Sequence, residues 1–133
     1  MKKIAAIDIG SNAIRMLICY VIPFGKENIY QKNSYLRLPL RLGEDSFSNG
    51  IISEDKIKTL SDALLSFKYI MRVHKVQEYQ IYATSALRES RNSSGVILKV
   101  KKATGLNINI ITGLKEAKII AKGNLVSKLD YNK

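Results

Sequence analysis

Three short polar segments of this chain carry the residue types that chemistry needs. The first is Asp8-Ile9-Gly10-Ser11-Asn12. Gly10 lets the backbone approach a ligand closely, and the N–H groups after it can converge on phosphate oxygens. Ser11 and Asn12 add side-chain donors, and Asp8 suits a hydrated divalent cation whose charge would offset that of phosphate. An ordinary hairpin turn uses the same residue types. No Gly-Lys-Ser/Thr follows and no helix begins there, so the segment is neither a Walker loop nor a dinucleotide fingerprint. The second segment is Thr84-Ser85-Ala86-Leu87-Arg88. Arg88 has the fork that clamps phosphate, and Thr84 and Ser85 can donate to it. A helix cap followed by a solvated arginine is the alternative. The third is Thr112-Gly113-Leu114-Lys115-Glu116-Ala117. Glu116 could orient and deprotonate a water for in-line attack on phosphorus. A first-turn glutamate that offsets the helix dipole would look the same.

The surrounding pattern places all three segments beside strand ends. Lys3 to Ile9 is a short apolar, β-branched run that reads as a buried strand. Ala13 to Ile22 follows after so short a connection that the two strands must be antiparallel neighbours. Pro23-Phe24-Gly25 reads as a turn, and a third strand covers Asn28 to Leu38. In Leu36-Arg-Leu-Pro-Leu-Arg-Leu42 every second residue is Leu, which leaves Arg37 and Arg41 on the opposite face. Pro39 belongs at a sheet edge because it has no N–H to give to a ladder. Gly43 to Gly50 reads as a polar loop. Ser53 then caps a helix with Glu54 and Asp55 in its first turn and Ile57, Leu60, Leu64, Phe67, Ile70 and Met71 along one stripe. His74 ends it, as a surface or capping residue.

Gln80 to Ala83 forms a fourth strand, and a polar break spans Glu89 to Ser94. Val96, Ile97, Val100 and Ala103 mark a second amphipathic helix that Gly105 stops. Asn107 to Ile111 is a fifth strand, and Thr112-Gly113 opens a last helix to about Ser127. Three meandering strands followed by alternating helices and strands predict an α/β lobe, a five-stranded mixed sheet in the order βββαβαβα with helices on its faces. Strand-to-helix loops at carboxyl ends are where such sheets bind ligands.

The totals narrow the choice of partner. The chain has 133 residues, enough for one domain with a core. Its 22 Lys and Arg against 11 Asp and Glu leave a formal charge of +11, which favours a polyanion. The number alone fits polyphosphate, nucleic acid or an anionic membrane surface. Cys19 has no partner cysteine and sits in an apolar run, so it reads as a small core residue. No segment resembles a signal peptide or approaches the roughly 18 apolar residues of a membrane helix, and the default expectation is the cytoplasm.

Four ordered motifs resemble the exopolyphosphatase/guanosine pentaphosphate phosphohydrolase (Ppx/GppA) family. They are Ala6-Ile-Asp-Ile-Gly-Ser-Asn-Ala-Ile-Arg-Met-Leu-Ile18, Arg41-Leu-Gly-Glu44 followed by Gly50, Ala83-Thr-Ser-Ala-Leu-Arg-Glu89 with Asn92, and Ile111-Thr-Gly-Leu-Lys-Glu-Ala117. The resemblance implies a ribonuclease-H-like lobe of the acetate and sugar kinase/Hsp70/actin superfamily. It also implies release of terminal phosphate, with Mg2+, from inorganic polyphosphate or from guanosine pentaphosphate. Membrane and nucleic-acid partners are not implied, and a homodimer of the full-length protein is compatible with it. Carried over by motif, Glu116 is the catalytic base, and Arg88 with Thr84 and Ser85 binds phosphate. Gly10, Ser11 and Asn12 bind phosphate too, and Asp8 serves the metal. Two positions depart from the family pattern: Lys115 stands where a second acidic residue is frequent, and Lys118 where arginine is frequent. The family's second phosphate loop, an Asp-x-Gly-Gly-Gly-Ser type segment, is not among these residues, so residues 1–133 read as a truncated first lobe. Two rival readings remain open: a non-catalytic polyanion-binding module, and an ATP-dependent kinase or chaperone of the same superfamily.

Overall fold

The computed structural model describes residues 2–111 of the chain. In chain order these form β1 (Lys2–Ile9), β2 (Ala13–Phe24), β3 (Glu27–Pro39), α1 (Leu42–Asn49), α2 (Glu54–Val73), β4 (Glu78–Ala83), α3 (Ser85–Arg88), α4 (Ser93–Thr104) and β5 (Asn109–Ile110). The five strands make one sheet in the order β3-β2-β1-β4-β5. β1, β2 and β3 pair antiparallel as a meander, whereas β4 lies parallel to β1 and β5 parallel to β4. This is the mixed α/β sheet that the alternating pattern predicts. The predicted last helix, from Thr112 to about Ser127, lies outside the described residues.

Register explains the core. Ile7 faces Met16 on β2 and Ile81 on β4, and Ile9 faces Ile14 and Ala83. All six side chains are buried, so alternate residues of three strands build one continuous apolar face. α2 covers it with Ile57, Leu60, Leu64, Phe67 and Met71, and α4 adds Val96 and Val100. Each such large side chain contributes roughly 1.5–3 kcal/mol when fully buried. The opposite face carries Ile4, Ala6, Asp8, Arg15, Leu17 and Tyr82, all partly or largely exposed. Among the described residues the helices that cover the sheet pack on the first face only.

Several sequence expectations shift. Gly43 to Gly50 is not a loop: most of it is α1, which begins at Leu42 and ends at Gly50 in the left-handed conformation. Its polar composition hides the helix, because tertiary contacts hold it. Leu42 is fully buried, and the buried Ser46 hydroxyl donates to the carbonyl of Ala86 at 2.6 Å. Pro23 and Phe24 extend β2, and the turn falls at Gly25-Lys26. Pro39 is the last residue of the edge strand β3, where its missing N–H costs no ladder bond. On α4 the buried face runs through Thr104, and Ala103 is exposed. The expected caps hold: Ser53 accepts the amide of Lys56 at 3.2 Å, and Gly105 ends α4 at φ 77°.

Candidate functional site

Parallel pairing brings the ends of β1, β4 and β5 together. The amide of Thr84 donates to Ile9 O at 3.1 Å, and that of Ile111 to Ala83 O at 3.1 Å. Thus the turn after β1, the turn after β4 and the chain leaving β5 share one edge, the place where open α/β sheets bind ligands.

The Asp8–Asn12 turn is shaped by its hydrogen bonds. Gly10 N donates to Ala13 O at 2.9 Å, closing the hairpin. A side chain at Gly10 would place its Cβ 3.2 Å from that same carbonyl, so the glycine serves a close backbone approach. Two carbonyls of the turn are engaged: Asn12 O accepts the amides of Leu40 and Arg41 at 3.1 and 3.0 Å, and Ser11 O accepts that of Gly43 at 2.9 Å. The amides of Ser11 and Asn12 have no acceptor among the described residues. Two successive residues with their carbonyls bonded and their N–H groups open give the turn the electrostatics that suit an anion. Gly43 lets α1 come this close, since a Cβ there would stand 3.2 Å from Ser11 Cβ.

Ser85 joins this turn from the second segment. Its hydroxyl lies 2.9 Å from that of Ser11, a hydrogen bond between residues 74 positions apart. Thr84 is buried, and its hydroxyl points back to Ile9 O at 3.3 Å, so in this arrangement it holds the loop. Arg88 reaches across the site edge and donates from Nη1 to Ile111 O at 2.8 Å. It thereby grips the chain one residue before the third segment begins. Glu116 lies outside the described residues, as do Lys115, Lys118 and Lys122. Asn92 has a structural role: its side-chain amide bridges the N–H and C=O of Ile52 at 3.0 and 2.9 Å.

Asp8 and Arg15 stand opposite each other across β1 and β2 and form an ion pair. The hydrogen bond it donates to Asp8 holds the Arg15 guanidinium above its ordinary pKa, against the opposing effect of burial. No group of three His, Cys, Asp or Glu side chains that could hold a metal occurs among the described residues. Asp8 therefore offers a single carboxylate. That fits Mg2+ in one mode only, in which one protein carboxylate is completed by water and substrate phosphate oxygens.

Three arginines went unassigned in the reading of the polar segments. Arg15 is paired with Asp8, and the symmetric spacing of the two about the hairpin was the available signal. Arg37 and Arg41 line an open cleft of about 690 Å³ together with Ser11 and Asn12. The leucine alternation had already set both on the polar face.

The fold defines a lobe of the acetate and sugar kinase/Hsp70/actin type, with the Asp8–Asn12 turn and the Ser85 loop at the carboxyl ends of its parallel strands. The sequence matches the Ppx/GppA phosphatase family over residues 33–132, most of its length, and the chain belongs to that family. It is 36% identical over 129 residues to a bifunctional 3-dehydroquinate synthase/phosphatase of Fusobacterium nucleatum, which covers 95% of this chain and 19% of that protein. A guanosine-5'-triphosphate,3'-diphosphate pyrophosphatase of Aliivibrio fischeri is 30% identical, over 90% of this chain and 23% of its own. The crystal structure of an exopolyphosphatase from Cytophaga hutchinsonii superposes with a TM-score of 0.78 at 26% identity, covering 88% of this chain and 36% of that one. The chain thus spans well under half the length of these relatives. Among the described residues no helix is long and apolar enough to cross a membrane.

Proposed function

We propose that the protein hydrolyses the terminal phosphoanhydride bond of inorganic polyphosphate and releases orthophosphate. The observation that carries this reading is the Asp8–Asn12 turn, with the carbonyls of Ser11 and Asn12 bonded, their amides open, and the Ser85 hydroxyl brought to Ser11. Family membership supplies the reaction class, and the +11 charge suits a polyanionic substrate.

In this mechanism the terminal phosphoryl group rests on the amides and side chains of Gly10 to Asn12, with Ser85 and Arg88 on its other side. Thr84 keeps the two loops in register through Ile9. Glu116 takes a proton from the attacking water as its oxygen bonds to phosphorus. The bridging P–O bond opposite breaks, and the shortened polyphosphate leaves with that oxygen. Asp8 would hold Mg2+, which supplies charge neutralisation for the phosphates. Replacing Glu116 by Gln in the whole protein is expected to lower turnover at least about 100-fold while polyphosphate still binds. Undiminished phosphate release would overturn the assignment.

A second substrate has a specific observation behind it, the 30% identity to a guanosine-5'-triphosphate,3'-diphosphate pyrophosphatase. Guanosine pentaphosphate would present the same terminal phosphate to the same turn. Phosphate release from the two substrates, measured side by side on the whole protein, decides between them.

A further inference from the structure

The cleft beside the Asp8–Asn12 turn carries more positive charge than a seat for one phosphate requires. Arg37 on β3 stands directly opposite Arg15 on β2, which in turn stands opposite Asp8 on β1. Asp8 neutralises Arg15. Arg37 has no ion pair or hydrogen bond among the described residues, so it stands as an uncompensated cation beside the Asp8–Arg15 pair. An uncompensated cation on an open sheet face draws an anion from outside.

Arg41 adds an independent observation. Its backbone is left-handed, φ 53° and ψ 47°, a conformation that only one other non-glycine residue, Lys75, shares among the described residues. Arginine has no local hydrogen bond to favour that state, as asparagine has. The conformation lets the chain leave the edge strand and enter α1 while the Arg41 amide bonds Asn12 O. The side chain is left 70% exposed over the cleft that Ser11, Asn12 and Arg37 also line. Glu44 lines it as well. Its carboxylate meets Arg41 at 3.4 Å and Lys56 at 3.7 Å, so Lys56 still compensates it when Arg41 turns to a ligand.

We infer that Arg37 and Arg41 form a second anion subsite, continuous with the turn, that binds the phosphate units following the terminal one in a linear oligophosphate. The cleft, at about 690 Å³, lies within the usual size of small-ligand sites. The inference rests on the reading that the turn seats the terminal phosphate.

Calorimetric titration of the 133-residue chain with orthophosphate and with inorganic tripolyphosphate tests it. Arg37→Gln and Arg41→Asn should each weaken tripolyphosphate about three- to tenfold, as expected for charge-assisted contacts discounted for exposure. Orthophosphate affinity should stay within about twofold, as should the tripolyphosphate affinity of Lys101→Gln on the exposed side of α4. Asparagine tolerates the left-handed backbone at position 41. Arg37 is exposed and makes no hydrogen bond or ion pair among the described residues, so its variant alone decides if Arg41→Asn melts early. Tripolyphosphate binding that ignores both arginines but falls in Ser85→Ala removes the subsite and leaves the terminal seat standing. An equal loss in Lys101→Gln reduces the effect to net charge and overturns the inference. Ser85→Ala and Arg88→Gln that leave both ligands unaffected would instead sink the reading on which it rests.

Discussion

At the scale of single residues, the hydroxyl pair Ser11–Ser85 does most to turn two loops into one site. Neither partner is remarkable by type, and each loop taken alone has a bland reading as a turn or a cap. Their 2.9 Å contact joins positions 74 apart, and no local pattern could report it. A hydrogen bond of this kind contributes about 0.5–1.5 kcal/mol net. A double-mutant cycle of Ser11→Ala and Ser85→Ala, followed by urea denaturation, should therefore return a coupling energy in that range. Additive effects, with no coupling, would mean that the loops are held by Thr84 and Ile9 alone. On the proposed reading the same variants should also weaken orthophosphate, since the hydroxyl pair sits at the turn that would seat it. What the residue types suggest is chemistry: Asp8 to Asn12 and Thr84 to Arg88 read as phosphate-type segments because glycine, hydroxyls and arginine are what such a seat requires, and the fold brings the two together. Arg37 and Arg41 were legible only as the polar side of a leucine-alternating strand. Their relation to the turn depends on the β2–β3 register and on the backbone at Arg41, which sequence spacing does not report.

Among elements, the strands and the long helix followed from periodicity because burial fixes them: one-residue slips in β1, β2 or β4 would turn Ile7, Met16 and Ile81 to the opposite face. α1 escaped that logic. Only Leu42 and Ser46 of its eight residues are buried, so it has no apolar stripe to read, and contacts from outside hold it. One of these is titratable. Asp45 Oδ2 accepts the amide of Ser53 at 2.9 Å, tying α1 to the cap of α2. That backbone hydrogen bond lowers the Asp45 pKa below its ordinary value. A depressed carboxyl pKa contributes stability that is complete above the unfolded-state value, about 3.9, and that fades as pH falls through the folded value. Solvent screening keeps the contribution below about 1 kcal/mol. Asp45→Asn should accordingly lie slightly below the parent in melting temperature at pH 7 and converge with it as acid protonates the folded carboxylate. A constant offset across that range would show that the carboxylate's charge plays no part in the junction.

The molecule as a whole poses the question of whether its charge recognises phosphate or merely attracts polyanions. A formal +11 on 133 residues is enough to draw any polyanion, and a non-catalytic binding module would share it. The two cases differ in how affinity responds to salt and to competitors. Neutralising a string of anionic charges releases condensed counterions, so affinity for a long chain falls steeply with the logarithm of salt. A seat built from two open backbone amides, a hydroxyl pair and an arginine fork contributes directional bonds that salt screens far less than it screens separated charges. For this chain, long polyphosphate should lose at least about tenfold in affinity between 50 and 200 mM salt, whereas orthophosphate should lose much less. If the proposed seat is right, orthophosphate should also compete with the end of a polyphosphate chain for the turn at Asp8 to Asn12. A polyanion without a terminal phosphate, such as heparin, should show the salt slope without that competition. Fluorescence titrations with the three ligands at several salt concentrations read both properties together. Identical behaviour of polyphosphate and heparin would assign the charge to a polyanion module, whereas competition confined to polyphosphate makes the charge a means of delivering chain ends to a specific seat.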